Sequence, residues 1–118
     1  MYRKNKKNIF YDIDELVIEL HGSKNDTIKS WLEVILSKKD LYIKLVNSHM
    51  KDWKFDRLGT VDQAILLLSV YELLDTDTPP VVAINEAVEL SKKYSDDKVV
   101  PMINAVLDKI YHIEEDNE

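Results

Sequence analysis

Any chemistry in this chain would have to come from three histidines, a large set of carboxylates and a short basic head. His21, His49 and His112 lie far apart, and none stands in a ligand spacing such as HExxH, so they are read as surface or packed side chains. Asp75 and Asp77 place two carboxylates on neighbouring positions, but the glycine and further oxygen ligands of a calcium loop are missing, and a solvated turn is expected there. The sequence contains no cysteine, which removes thiol catalysis and cysteine-ligated zinc. It has neither a glycine-rich phosphate loop nor a serine in a GxSxG turn. The remaining acids are interleaved with lysine, as on solvated helix faces. These residues support a non-enzymatic protein with no cofactor and no metal.

Charge distribution says more than its sum. The net charge of −6 disfavours a protein whose main task is coating nucleic acid, because phosphate binding draws on clustered Lys and Arg. Yet residues 1–8 form a basic head with Arg3, Lys4, Lys6 and Lys7, and residues 114–118 form a tail of four acids and one Asn. No run approaches the ~18 uncharged apolar residues of a membrane span. Asp12, Asp14 and Glu15 break up the stretch after the head, so no signal-type apolar segment is present and the cytoplasm is the expected location.

The elements that must position these groups are helical throughout. One domain over residues 1–118 is expected, since this length suits a single core and 45% of the residues are apolar. The organising run is Asp56 to Ile110. After a capping box in which Thr60 and Gln63 reach each other's backbone amides, Val61, Ala64 to Leu68, Val70, Tyr71, Leu73 and Leu74 are apolar nearly all round a helix, which marks it as central. Helices from Val82 to Tyr94 and from about Lys98 to Ile110 follow. Pro80 excludes an earlier start of the former, and Pro101 fits within the first turn of the latter.

Upstream, Ile9, Phe10, Ile13, Leu16, Val17 and Leu20 make one helical face that ends at His21-Gly22. A second region runs from Thr27 toward Trp53, and its stripe slips near Ser37 to Asp40, where a break or a new helix is expected. Asn85 and Asn104 each follow a buried-face isoleucine and are read as amides that bridge helices. Glu86 and Glu89 are read as facing water, with Lys92 and Lys93 paired to Glu89. The fold expected is an all-α bundle of about five to seven helices.

Three segments then resemble a known family. DQAILLLSVYELL (Asp62 to Leu74), VAINEAVELSKKY (Val82 to Tyr94) and INAVLDKI (Ile103 to Ile110) are similar, in order and separation, to the NusB family of transcription antitermination factors. The same helical domain forms the RNA-binding front end of certain rRNA cytosine methyltransferases. No methyltransferase domain follows here, which favours the stand-alone factor.

The resemblance implies a NusB-like helical domain that binds boxA-type RNA together with the ribosomal protein NusE, within the transcription elongation complex. It implies RNA contacts from the head residues Arg3, Lys4, Lys6 and Lys7, from Lys98, and from Met102, which stands where the family carries an RNA-contacting aromatic. Asp56 and Asp62 occupy the family's partner-facing positions. Departures accompany the likeness: a shortened first half, Leu67 and Val81 at positions often basic, Met102 without a flat ring, and Ala105 for a usual glycine. They leave an alternative, a non-enzymatic interaction module, able to act as a homodimer, that has lost specific RNA binding.

Overall fold

In a computed structural model of the chain, residues 9–22 and 26–116 are described. Five helices follow one another: α1 (Ile9–His21), α2 (Asp26–Asn47), α3 (Thr60–Asp75), α4 (Pro80–Tyr94) and α5 (Val99–Asp116), with a 3₁₀ turn at Phe55–Arg57 before α3. Among the described residues there is no strand.

Helix α3 takes the position its composition requires. Every residue from Ala64 to Leu73 is buried, and α3 packs against all four other helices. Burying an apolar girdle of this kind supplies most of the driving force for assembly, at ~25 cal/mol per Å² removed from water. Helices α1, α4 and α5 cover it with single faces, led by Ile13, Leu16 and Val17, by Ala83, Ala87 and Leu90, and by Ile103, Val106, Leu107 and Ile110. Helix α4 starts two residues before the expected Val82, because a proline is tolerated at the first helical position. Pro80 is the first residue of α4, where its missing N–H has no helical acceptor to lose, and Pro101 lies in the first turn of α5. Gly22 closes α1 at φ +81°, a left-handed conformation that a Cβ would strain, and its N–H bonds the Ile18 carbonyl at 2.7 Å.

Several expectations are corrected. Helix α2 runs unbroken through Ser37 to Asp40. Trp31, Ile35, Tyr42 and Val46, spaced four, seven and four apart, form one continuous inward seam through that stretch, whereas Leu36 and Leu41 beside it are 57% and 59% exposed. The capping box does not form. Gly59 is the N-cap, Thr60 is already helical with its Oγ1 buried and unpaired, and the Gln63 amide donates instead to the carbonyls of Phe55 and Leu58, at 2.9 and 3.1 Å. Gln63 thereby clamps the 3₁₀ turn onto the start of α3.

Asn85 and Asn104 are exposed and, among the described residues, bridge no helices. The residues that α4 buries, Ala83, Ala87, Leu90 and Ser91, lie on the side of the helix opposite Asn85. The buried face of α5 ends at Ile110, and Ile113 beyond it is 43% exposed. The Glu89 pairing is halved: Lys92 lies 3.6 Å from Glu89, but Lys93 turns to Glu19 on α1.

Candidate nucleic-acid and partner surfaces

The head residues Arg3, Lys4, Lys6 and Lys7 lie outside the described residues, as does the end of the acidic tail. The start of α1 fixes where the head joins the fold. Phe10 lies under the Lys39 ammonium, 5.6 Å from nitrogen to ring centroid, so α1 begins against the middle of α2. Lys98 is exposed in the turn before α5. Met102, one turn further on, is only 8% exposed and packs in the core, so it presents no face to a base; Leu67, where the family is often basic, is fully buried. The reason is periodicity: Met102 shares the inward side of α5 with Val99, Val106 and Ile103.

The two acids expected to face a partner, Asp56 and Asp62, fall on one joint. Asp56 is exposed on the 3₁₀ turn, and Asp62 lies half-buried in the first turn of α3, accepting a hydrogen bond from the Ser95 hydroxyl at the end of α4. The Gln63 clamp ties the two segments together. Beside this joint, Asp12, Glu15 and Glu19 of α1 line a cleft of about 200 Å³ with Val61 and Tyr94. Glu19 is held there by the Lys93 ammonium and the Tyr94 hydroxyl, which keep its carboxyl below the ordinary range.

Two polar constellations were not legible in the sequence. Glu72, in the middle of the apolar α3, is 2% exposed. Burial, and after it the adjoining Glu86 carboxyl of α4, push its pKa up to about 8. The Glu86 Oε1 is itself buried, with no hydrogen-bond partner among the described residues. Glu86 therefore faces inward rather than toward water. His21 Nε2 stands 3.9 Å from Glu72 Oε2, and its ring meets Trp31 edge-on, which in turn meets Tyr71. The signal available was a lone acid inside the string LLSVYELLD. The second constellation joins α2 to the end of α3: the buried Tyr42 hydroxyl and the Lys38 ammonium, the latter at 2.9 Å, both bind Asp75. Asp75 thus serves as an interhelical anchor. Among the described residues no group of His, Asp or Glu is arranged to hold a metal, and no helix is long and apolar enough to cross a membrane.

Comparison with known proteins converges on one family. The NusB family profile matches residues 2–112. Curated relatives named transcription antitermination protein NusB include one from Methylacidiphilum infernorum, 41% identical over 72% of this chain and 60% of the relative. Another, from Clostridium perfringens, is 48% identical over 71% of this chain and 63% of the relative. The chain thus spans less than two thirds of the length of these two relatives. Among solved structures, T. maritima NusB superposes with a TM-score of 0.70 at 22% identity, covering 88% of this chain and 85% of that one, a likeness of fold. A chain from a structure described as a plectonemic RNA supercoil superposes with a TM-score of 0.66 at 29% identity, covering 85% of this chain and 76% of that one. A profile that extends from the basic head to the end of the buried face of α5, on the same arrangement of helices, leads to one conclusion: this chain belongs to the NusB family.

Proposed function

We propose that the chain is a non-enzymatic RNA-binding adaptor of transcription antitermination and rRNA synthesis. In this reading Arg3, Lys4, Lys6, Lys7 and Lys98 contact boxA-type RNA, while Asp56 and Asp62 engage the ribosomal protein NusE. The observation that carries it is the family match from residue 2 to residue 112, which takes in the basic head as well as the acidic joint. The mechanism is assembly. An RNA surface and a protein surface, each weak alone, gain affinity when one ligand tethers the other, so the second binding event becomes effectively intramolecular. The exposed Asp56 and the anchored Asp62 supply negative charge on a joint braced by Gln63, a suitable face for a basic partner.

Binding of a boxA-type RNA, with and without NusE, tests this across a salt series. Affinity should rise when NusE is added and fall with salt in proportion to the phosphates neutralised, and Lys4→Ala with Lys6→Ala should flatten that slope. The second reading, an interaction module without specific RNA binding, draws on the burial of Met102 and Leu67. It predicts equal, poor affinity for every RNA, indifferent to the lysine replacements.

A further inference from the structure

Between the end of α2 and the 3₁₀ turn lies a cleft of about 590 Å³, lined by Ile43, Asn47, Met50, Lys51, Trp53, Lys54, Phe55 and Asp56. Its volume falls in the range of small-molecule sites. Met50 and Phe55 are buried and give it an apolar floor, and the half-buried Trp53 keeps part of its indole on the opening. We infer that this cleft is a stacking site for a nucleobase of single-stranded RNA, with the flanking phosphates held by Lys51 and Lys54. This deepens the adaptor reading and rests on it.

Three observations favour an RNA strand over an acidic peptide. First, the lining carries the residue types a nucleotide requires: an aromatic side chain, Trp53, for the base and two lysines, Lys51 and Lys54, for the phosphates. Among the described residues neither lysine enters an ion pair and the Trp53 indole N–H has no acceptor, so all three remain available to a ligand. Second, the segment from Lys51 to Lys54 is irregular, and among the described residues its backbone amides donate to no protein acceptor. Such amides suit phosphate oxygens. Third, the cleft continues a surface that begins where the basic head joins the fold. Lys39, Ile43 and Asn47 are spaced four apart on one face of α2; Lys39 covers Phe10 at the start of α1, while Ile43 and Asn47 line the cleft. Each step along this face is about 6 Å. The single carboxylate, Asp56, marks the edge where the strand would meet the partner-facing joint.

The site is kept open by the fold rather than by a ligand. Asn47 Oδ1 accepts the Phe55 N–H at 3.0 Å, closing the loop across its base, and the Gln63 amide holds the far side through the Phe55 and Leu58 carbonyls. Trp53 is thus displayed on a fixed frame, which limits the ordering cost of stacking.

The chain has two tryptophans, so Trp31→Phe leaves Trp53 as the only indole reporter. In that background a ten-nucleotide single-stranded RNA should quench Trp53 emission, and a ten-residue oligoglutamate should not. In the otherwise native chain, Trp53→Ala should weaken that RNA about tenfold, Trp53→Phe should retain most of the affinity, and Lys51→Glu with Lys54→Glu should reduce the salt slope. Unchanged circular dichroism would establish that each variant is folded. RNA binding that survives Trp53→Ala undiminished yet weakens with Lys4→Ala and Lys6→Ala would overturn the cleft and leave the adaptor reading intact. Absence of RNA binding by the native chain, with and without NusE, would overturn both. Quenching by oligoglutamate and not by RNA would assign the cleft to an acidic peptide and overturn the proposal.

Discussion

Replacing Glu72 by Gln should make the protein more stable at slightly alkaline pH, and should remove a pH dependence that the native chain carries. The Glu72 carboxyl is 2% exposed, and its pKa is raised from an ordinary 4.5 to about 8 by burial and by the Glu86 carboxyl. A carboxyl with a raised folded-state pKa keeps its proton in the folded chain while the unfolded chain releases it. The folded state therefore binds the extra proton throughout the window between the two values, and stability falls as pH rises through it. Each pH unit in the window is worth about 1.4 kcal/mol, so a window this wide sets a ceiling of about 5 kcal/mol. Water entry and side-chain relaxation lower such penalties in real interiors, so a fall of about 2–5 kcal/mol is expected. Urea unfolding at several pH values from about 5 to 8, followed by far-UV circular dichroism, measures it directly. Glu72→Gln leaves a permanent N–H donor for Glu86 and nothing to ionise, so its midpoint should stay nearly level and exceed the native midpoint at pH 8. Parallel profiles for the two proteins would show that Glu72 is ionised at ordinary cost, and would refute the raised pKa.

Three further outcomes rest on named contacts. Tyr42→Phe removes a buried hydroxyl from Asp75 while Lys38 remains, and should lower stability by about 1.5 kcal/mol in the same unfolding assay. Thr60→Val keeps the shape of a side chain whose Oγ1 is buried without a partner, and should raise the unfolding free energy by about 1 kcal/mol; a loss of that size would mean that the hydroxyl is satisfied after all. Glu19→Gln should make the acid limb of the stability profile shallower. The Lys93 and Tyr94 contacts depress the Glu19 pKa, so its contribution is present above about pH 4.5 and is lost as pH falls through the lower folded value. An unchanged limb below pH 4.5 would dissociate that contact from folding.

The helices were legible because their signals are local. The all-round apolar run in α3, the prolines at the starts of α4 and α5, and Gly22 after α1 each act within a turn or two of sequence. What was lost is what depends on neighbours. Periodicity tells which side of α2 turns inward only if the seam is weighted correctly, and Leu36 and Leu41 mimic a seam while facing solvent. Thr60 and Gln63 have the types of a capping box, but Gly59 already adopts the extended cap conformation, and Gln63 finds two carbonyls in the turn behind it. The bonds that join distant elements have no sequence signature at all: Tyr42 and Asp75 are 33 positions apart, and Glu72 meets Glu86 only because α3 and α4 pack together. Of the surfaces, Asp56 and Asp62 were singled out by resemblance, and the structure places both at one joint. The Trp53 cleft was not, because its walls come from a helix end and an irregular segment whose relation only folding defines.

The central position of α3 also sets how the molecule breathes. An amide in a helix exchanges its proton with water only when some opening exposes it, and the smallest sufficient opening determines the rate. Because α3 packs against all four other helices, no departure of a single helix frees its middle turns. Amides from Leu66 to Val70 should therefore exchange only through global unfolding and report the full stability of the chain. The irregular stretch around Lys51 to Lys54, with no internal acceptors for its amides among the described residues, should exchange with little or no opening. A hydrogen-exchange map would then show a slow stripe along one helix and a fast segment only a few residues upstream of it.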